Sequence, residues 1–233
     1  MTWRARLRDE RGFTLIELIL ASAAGLLVSG AALAIIAVSY ELLRNDADRV
    51  DANQQGRTAM LEIEQLLNSS CVGGLVGFAP VQAGSSANSI TFIASRADDP
   101  ATPPSEYQIY LTGSNQLDLT TYQYAAGSAP YWSFSSSGQT QTLITHAAVV
   151  PGTSAIFSYY PYQSSGALAT SISTTPLSLT DAANVAEIAI QFEAQPSDGV
   201  TVSGSNADFA SEVVLRLTPV STSTLSTTPL PCS

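Results

Sequence analysis

Twenty-three consecutive residues, Leu18 to Tyr40, carry no charged side chain, yet Glu17 stands at the head of that run with Phe13, Leu15 and Ile16 before it. At ~1.5 Å rise per residue the run is roughly 35 Å long as a helix, enough to cross a hydrocarbon core of about 30 Å. Residues 1–12, MTWRARLRDERG, are short, polar and basic, and Glu41 closes the far end. The positive-inside rule therefore predicts the N-terminus in the cytoplasm and everything after about residue 41 outside.

Three readings compete for this segment. A cleaved secretory signal has an A-x-A pattern at residues 21–23, "ASA", after a short apolar stretch. Against it, the apolar run continues where a polar mature N-terminus should begin, and Glu17 would sit within the apolar region. A plain anchor accounts for length and flanks but leaves Glu17 without a reason, since an unpaired carboxylate at membrane depth costs on the order of 2–3 kcal/mol. The third reading is a segment that uses Glu17.

The residues "GFTLIE" (12–17) carry a resemblance to the processing motif of type IV prepilins and type II secretion pseudopilins: a short basic leader ending in Gly, then Phe or Met, a few apolar or Thr residues, and Glu. The resemblance implies cleavage after Gly12 by a membrane-embedded aspartyl prepilin peptidase, N-methylation of the new amine at Phe13, and assembly through the N-terminal helix. It also implies a counter-charge for Glu17, the α-amine of a neighbouring subunit, which would set the axial register. Many major pilins in that family carry a helix-breaking Pro in this helix. Residues 13–71 contain none, which leans towards a minor pilin or pseudopilin. Gly25 and Gly30 are the weak points of the apolar half. Ala21, Ser22, Gly25 and Ser29 form a small-residue pattern that permits close helix approach, or reflects the alanine-rich composition alone.

Past Tyr40 the pattern turns amphipathic, with Leu43, Ala47, Val50, Met60, Ile63 and Leu67 at three- and four-residue steps. This predicts one helix from Phe13 to about Asn68, with Gly56 a tolerable defect, ending at the turn residues of "NSSCVGG". Alternating segments then read as strands at 89–95, 106–112, 115–124, 141–150, 154–160, 185–194 and 208–219, with "LTGSNQLDL" a hairpin. The expected class is α+β and pilin-like, a long N-terminal α-helix packed on an antiparallel β-sheet head. The expected organisation is a leader at 1–12, a transmembrane and assembly helix at 13–40, its amphipathic continuation at 41–70, a β-rich head at 71–220 and a Ser/Thr/Pro-rich tail at 221–233. Residues 141–194 are similar to PilW-like minor pilins and J-type pseudopilins through Phe157, Tyr159, Tyr160, Gly166, Leu168, Ile188, Ile190 and Phe192.

Charge narrows the partners. From Phe13 onward five arginines face seventeen acids, 5 − 17 = −12, so no nucleic-acid contact is predicted, because phosphate neutralisation needs a basic face. Expected partners are prepilin peptidase, other pilin or pseudopilin subunits, the membrane and an assembly platform. The two cysteines, Cys71 and Cys232, with a single histidine, supply too few ligands for zinc; a long-range disulfide in an oxidising compartment is the sharper reading, and it would tie the tail to the end of the helix.

No catalytic constellation emerges. His146 lies in a strand-like run with no nucleophile elbow elsewhere. Asp98 and Asp99 fall in a proline-rich loop that reads as a solvated turn; the same acids could take calcium, but no EF-hand spacing supports it. Asp46, Asp48 and Asp51 with Arg44 and Arg49 form either a solvated helix face or an inter-subunit pairing surface. The chain is expected to be a non-enzymatic subunit without cofactor or metal. The rival from another class is a single-pass anchored surface protein whose head binds a ligand; an exported hydrolase would need a second general base.

Overall fold

The computed structural model describes residues 13–71, 79–95, 102–128, 131–163, 167–172, 175–198 and 205–215. The chain divides into two compact units, Met1–Asp46 and Ala47–Ser233, and one helix, α1 (Leu15–Asn68), contributes to both. It is followed by antiparallel sheets, an α+β, pilin-like arrangement.

In the first unit, α1 begins after Thr14. The Thr14 hydroxyl accepts from the Glu17 backbone N–H at 3.4 Å and the Thr14 carbonyl from those of Glu17 and Leu18. Thr14 thus caps the helix, and Glu17 lies in its first turn, where the positive end of the helix dipole favours a carboxylate. Residues 13–44 are all exposed, Leu15 by 79% and Leu27 by 77%.

The second unit holds the core. Its part of α1 buries Ala52, Gly56, Ala59, Met60, Ile63, Leu66 and Leu67, a stripe recurring at helical steps. Of the expected apolar positions, Met60, Ile63 and Leu67 lie on this stripe. Leu43, Ala47 and Val50 do not: they are exposed, Leu43 in the first unit and the other two off the helix face that carries Ala52 and Gly56. A Cβ at Gly56 would run into the ring of Phe209, so Gly56 is a site of close approach rather than a defect.

The first sheet runs β1 (Ser89–Ala94), β2 (Ser105–Leu111), β3 (Leu117–Tyr122) and then β6 (Gln139–Ile144), all antiparallel. The β2–β3 turn places Asn115 at φ 62°, a left-handed position that Asn tolerates. The expected single strand at 115–124 stops at Tyr122. Tyr124–Ser128 forms β4, which pairs with β5 (Tyr131–Phe134) as a separate two-stranded sheet. Gly127 (φ 108°) is required there, since a Cβ would meet the Tyr131 carbonyl.

The expected strand at 141–150 is likewise two. β6 ends at Ile144, the chain crosses between sheets at Thr145–His146, and β7 (Ala147–Ala148) pairs with β9 (Val185–Ala194). In this second sheet β9 is central: β10 (Ala207–Val214) lies along one side, and β7 and β8 (Phe157–Pro161) share the other. The expected strand at 208–219 is described only to Leu215. A short helix, α2 (Leu179–Asn184), capped by the Ser178 hydroxyl accepting from the Asp181 N–H at 3.1 Å, precedes β9.

Both four-stranded sheets feed one core, in which Ile63, Leu66 and Leu67 of α1 pack with Phe92, Ile109, Leu119, Phe157, Tyr159, Ile188 and Phe192. Burial pushes the Tyr159 hydroxyl far up from its ordinary pKa, so it stays a neutral donor, bonded to the Ser86 carbonyl at 2.9 Å. Beside this core, Trp132 and Phe134 of β5 pack against Cys71 and Ile93.

Candidate assembly surface

The sequence-predicted processing and assembly residues fall in the first unit. Gly12 lies outside the described residues, as does the rest of the expected leader. Phe13 is 81% exposed, and Glu17 is exposed one helical turn further on. The helix that follows is long and apolar enough to cross a membrane, and none of its most apolar stretch is buried within the chain. Side chains such as Leu26, Leu27, Val28, Leu33, Ile35 and Ile36 form far more contiguous apolar surface than water tolerates, the signature of a membrane or of neighbouring helices as the surrounding medium.

Cys71 is nearly buried just past the end of α1, its N–H donating to the Ile93 carbonyl at 3.0 Å. No free thiol is found among the described residues. Cys232, Asp98 and Asp99 lie outside the described residues, together with the tail from residue 221. The Cys71–Cys232 pairing stays an expectation.

His146 sits half-buried at the crossover between the sheets. Its carbonyl accepts from the Gln195 N–H at 2.9 Å, and its Nδ1 is buried without a hydrogen-bond partner. Among the described residues no group of three or more His, Cys, Asp or Glu converges as a metal site would require.

The charged stretch of α1 divides by role. Asp51 works inside the head: its Oδ2 accepts from the Ser197 N–H and from Gln55 Nε2, both at 2.9 Å, and the Ser197 bond holds its carboxyl below the ordinary range. Gln55 Oε1 in turn accepts from the Thr145 hydroxyl at 3.3 Å, and Glu64 accepts from the Ser211 hydroxyl. These bonds fix the helix to the crossover, to the end of β9 and to β10. Arg44 and Asp48 also have interactions of their own.

Sequence reasoning missed one feature of this face. Arg49, Val50, Asn53, Gln54 and Arg57 line a groove of ≈ 380 Å³ whose remaining wall is Phe209. No spacing rule finds it, because Phe209 comes from β10.

Residues 7–33 match the family model described as the prokaryotic N-terminal methylation motif. The match takes in residues 7–12, Phe13, Glu17 and the first part of the apolar helix. It supports the prepilin and pseudopilin class and suggests processing by prepilin peptidase and assembly with other pilins. No curated protein matches the chain. The long apolar helix and the motif together fit a single-pass, membrane-anchored protein that forms a surface filament.

Proposed function

We propose that this chain is a non-enzymatic, minor subunit of a type IV pilus or type II secretion pseudopilus. Prepilin peptidase cleaves it after Gly12 and methylates Phe13, and the mature chain enters a filament through α1. The N-terminus starts in the cytoplasm and the head outside. One observation carries this reading: Glu17 is a lone carboxylate in the first turn of a helix whose apolar residues from 15 to 43 are all exposed, within a matched N-terminal methylation motif.

The motif gives the carboxylate a use. Thr14 and the helix dipole account for an acid at this position within one chain, but they leave it unpaired at membrane depth. Cleavage creates a positive amine at Phe13, and the amine of a neighbouring subunit then supplies the counter-charge. The minor role draws on the absence of Pro from residues 13–71 and on the likeness of residues 141–194 to PilW-like and J-type proteins. Glu17→Ala is expected to be processed but poorly incorporated into filaments. Normal incorporation would remove the pairing role, and abundance equal to the major subunit in sheared filaments would remove the minor one.

A second reading, an anchored surface protein whose head binds a ligand, draws on the aromatic edge of the β4–β5 hairpin. There Tyr131 is 57% exposed and Tyr124 stacks edge-on against Trp132 at 5.7 Å. An intact Met1 in the membrane form would favour it.

A further inference from the structure

We propose that the groove between α1 and β10 receives a carboxylate-bearing segment of a neighbouring subunit in the same filament, held between Arg49 and Arg57 over the ring of Phe209. The proposal rests on the filament reading above and adds to it a contact made by the head.

The wall of the groove is preorganised. Phe209 is stacked on Phe192 with centroids 5.5 Å apart and lies against the bare backbone of Gly56. It offers a fixed apolar surface at the foot of a polar helix face. Arg49 and Arg57 are both exposed and two helical turns apart, with Asn53 midway. The Asn53 side-chain amide donates to the Arg49 carbonyl at 2.9 Å, which ties that side chain to the helix backbone between the two arginines.

The helix offers little counter-charge to either guanidinium. Arg57 has Asn53, Gln54, Met60 and Leu61 at the three- and four-residue positions, where an ion partner would stand, and Arg49 has only Asp46 among its four. No ion pair of Arg49 or Arg57 is found among the described residues. Two planar, permanently charged forks flanking an aromatic surface suit carboxylates carried on a peptide with an apolar residue between them.

Charge selects the occupant. The head is strongly acidic, so this groove is sign-reversed against its surroundings, and like charge elsewhere on the head discourages docking at other faces. The acids of β10 itself, Asp208 and Glu212, alternate to the strand face opposite Phe209. The chain's own tail is a poor occupant, because residues 216–233 contain no Asp or Glu. A co-assembled subunit, arriving at high local concentration once the helices have packed, meets the requirement.

The test places the photo-crosslinking residue p-benzoylphenylalanine at position 54 of the full chain, expressed with its native filament system. The expected product joins position 54 to an Asp- or Glu-bearing peptide of a co-assembled subunit, and Arg49→Glu with Arg57→Glu lowers its yield about tenfold. Both arginines are exposed, so the head should fold unchanged, which a thermal melt of the variant checks. A yield insensitive to charge reversal, adducts to phospholipid or to acid-free peptides, or no adduct would overturn the groove assignment. Filament content in the same samples separates the two claims: a wild-type chain absent from filaments overturns the subunit reading and this one with it, whereas an incorporated chain without charge-dependent adducts overturns the groove alone.

Discussion

The two stretches of the one helix α1 live in opposite surroundings. From Leu15 to Arg44 the helix is built of Leu, Ile, Val and Ala and buries none of them; from Ala47 to Asn68 it carries charge on most turns and buries a continuous stripe. The difference lies in what each stretch is offered. The second has two sheets to receive Ile63, Leu66 and Leu67. The first has no such partner within the chain, and its surface suits lipid or other helices.

The largest test of this contrast is a pair of truncations. Ile63→Ala, at a fully buried position, is expected to cost the head about 2–5 kcal/mol, while Leu27→Ala should leave head stability within about 0.5 kcal/mol. Denaturant melts of the detergent-solubilised chain, followed by Trp132 fluorescence, measure both. Equal losses would show that the apolar stretch is part of the folded core.

Gly56 sharpens the comparison from inside the second stretch. Alanine there should help the helix by about 1 kcal/mol, yet overpacking against Phe209 costs about 1–3 kcal/mol, so Gly56→Ala is expected to be destabilising. In a Phe209→Ala background the same change should become neutral or favourable. A double-mutant cycle with no coupling would remove the close-approach account.

Much of this fold was legible in sequence where chemistry is local. β1, β2 and β9 announce themselves by period-two alternation, and Glu17 by its isolation in an uncharged run. The end of α1 at Asn68 follows from the turn residues after it. What was illegible depends on partners far along the chain. β4, all small or exposed residues, becomes a strand only because β5 pairs with it, and the sheet change at Thr145–His146 is invisible in a run with strand-forming residues on both sides of it. Met60, Ile63 and Leu67 were legible on the buried stripe, whereas small Ala52 and Gly56 carry little weight in a hydropathy pattern and were not. At the candidate site, Gly12, Phe13 and Glu17 could be picked out by motif; the Arg49–Arg57 groove could not.

The smallest effects are in acid titration, and two carboxylates of the head should tilt in opposite directions. The Asp51 folded pKa lies below its unfolded value, so its contribution is present above the unfolded pKa and is lost as pH falls through the folded one. Asp51→Asn should therefore weaken the head at neutral pH and make no difference in strong acid. Glu187 is raised, first by burial and then by the nearby Glu212 carboxylate. It penalises the fold once pH rises through its folded pKa, so Glu187→Gln should stabilise at neutral pH and lose that advantage below the unfolded pKa. Stability measured from pH 3 to 7 on both variants checks the signs.

The bond between Gly12 and Phe13 lies at the start of the apolar stretch. Mass analysis of the N-terminal peptide, taken from the membrane fraction and from filaments, reads it directly. A mature chain beginning with N-methylated Phe13 is the predicted result, whereas a chain beginning at Met1 or just after Ala23 would contradict it.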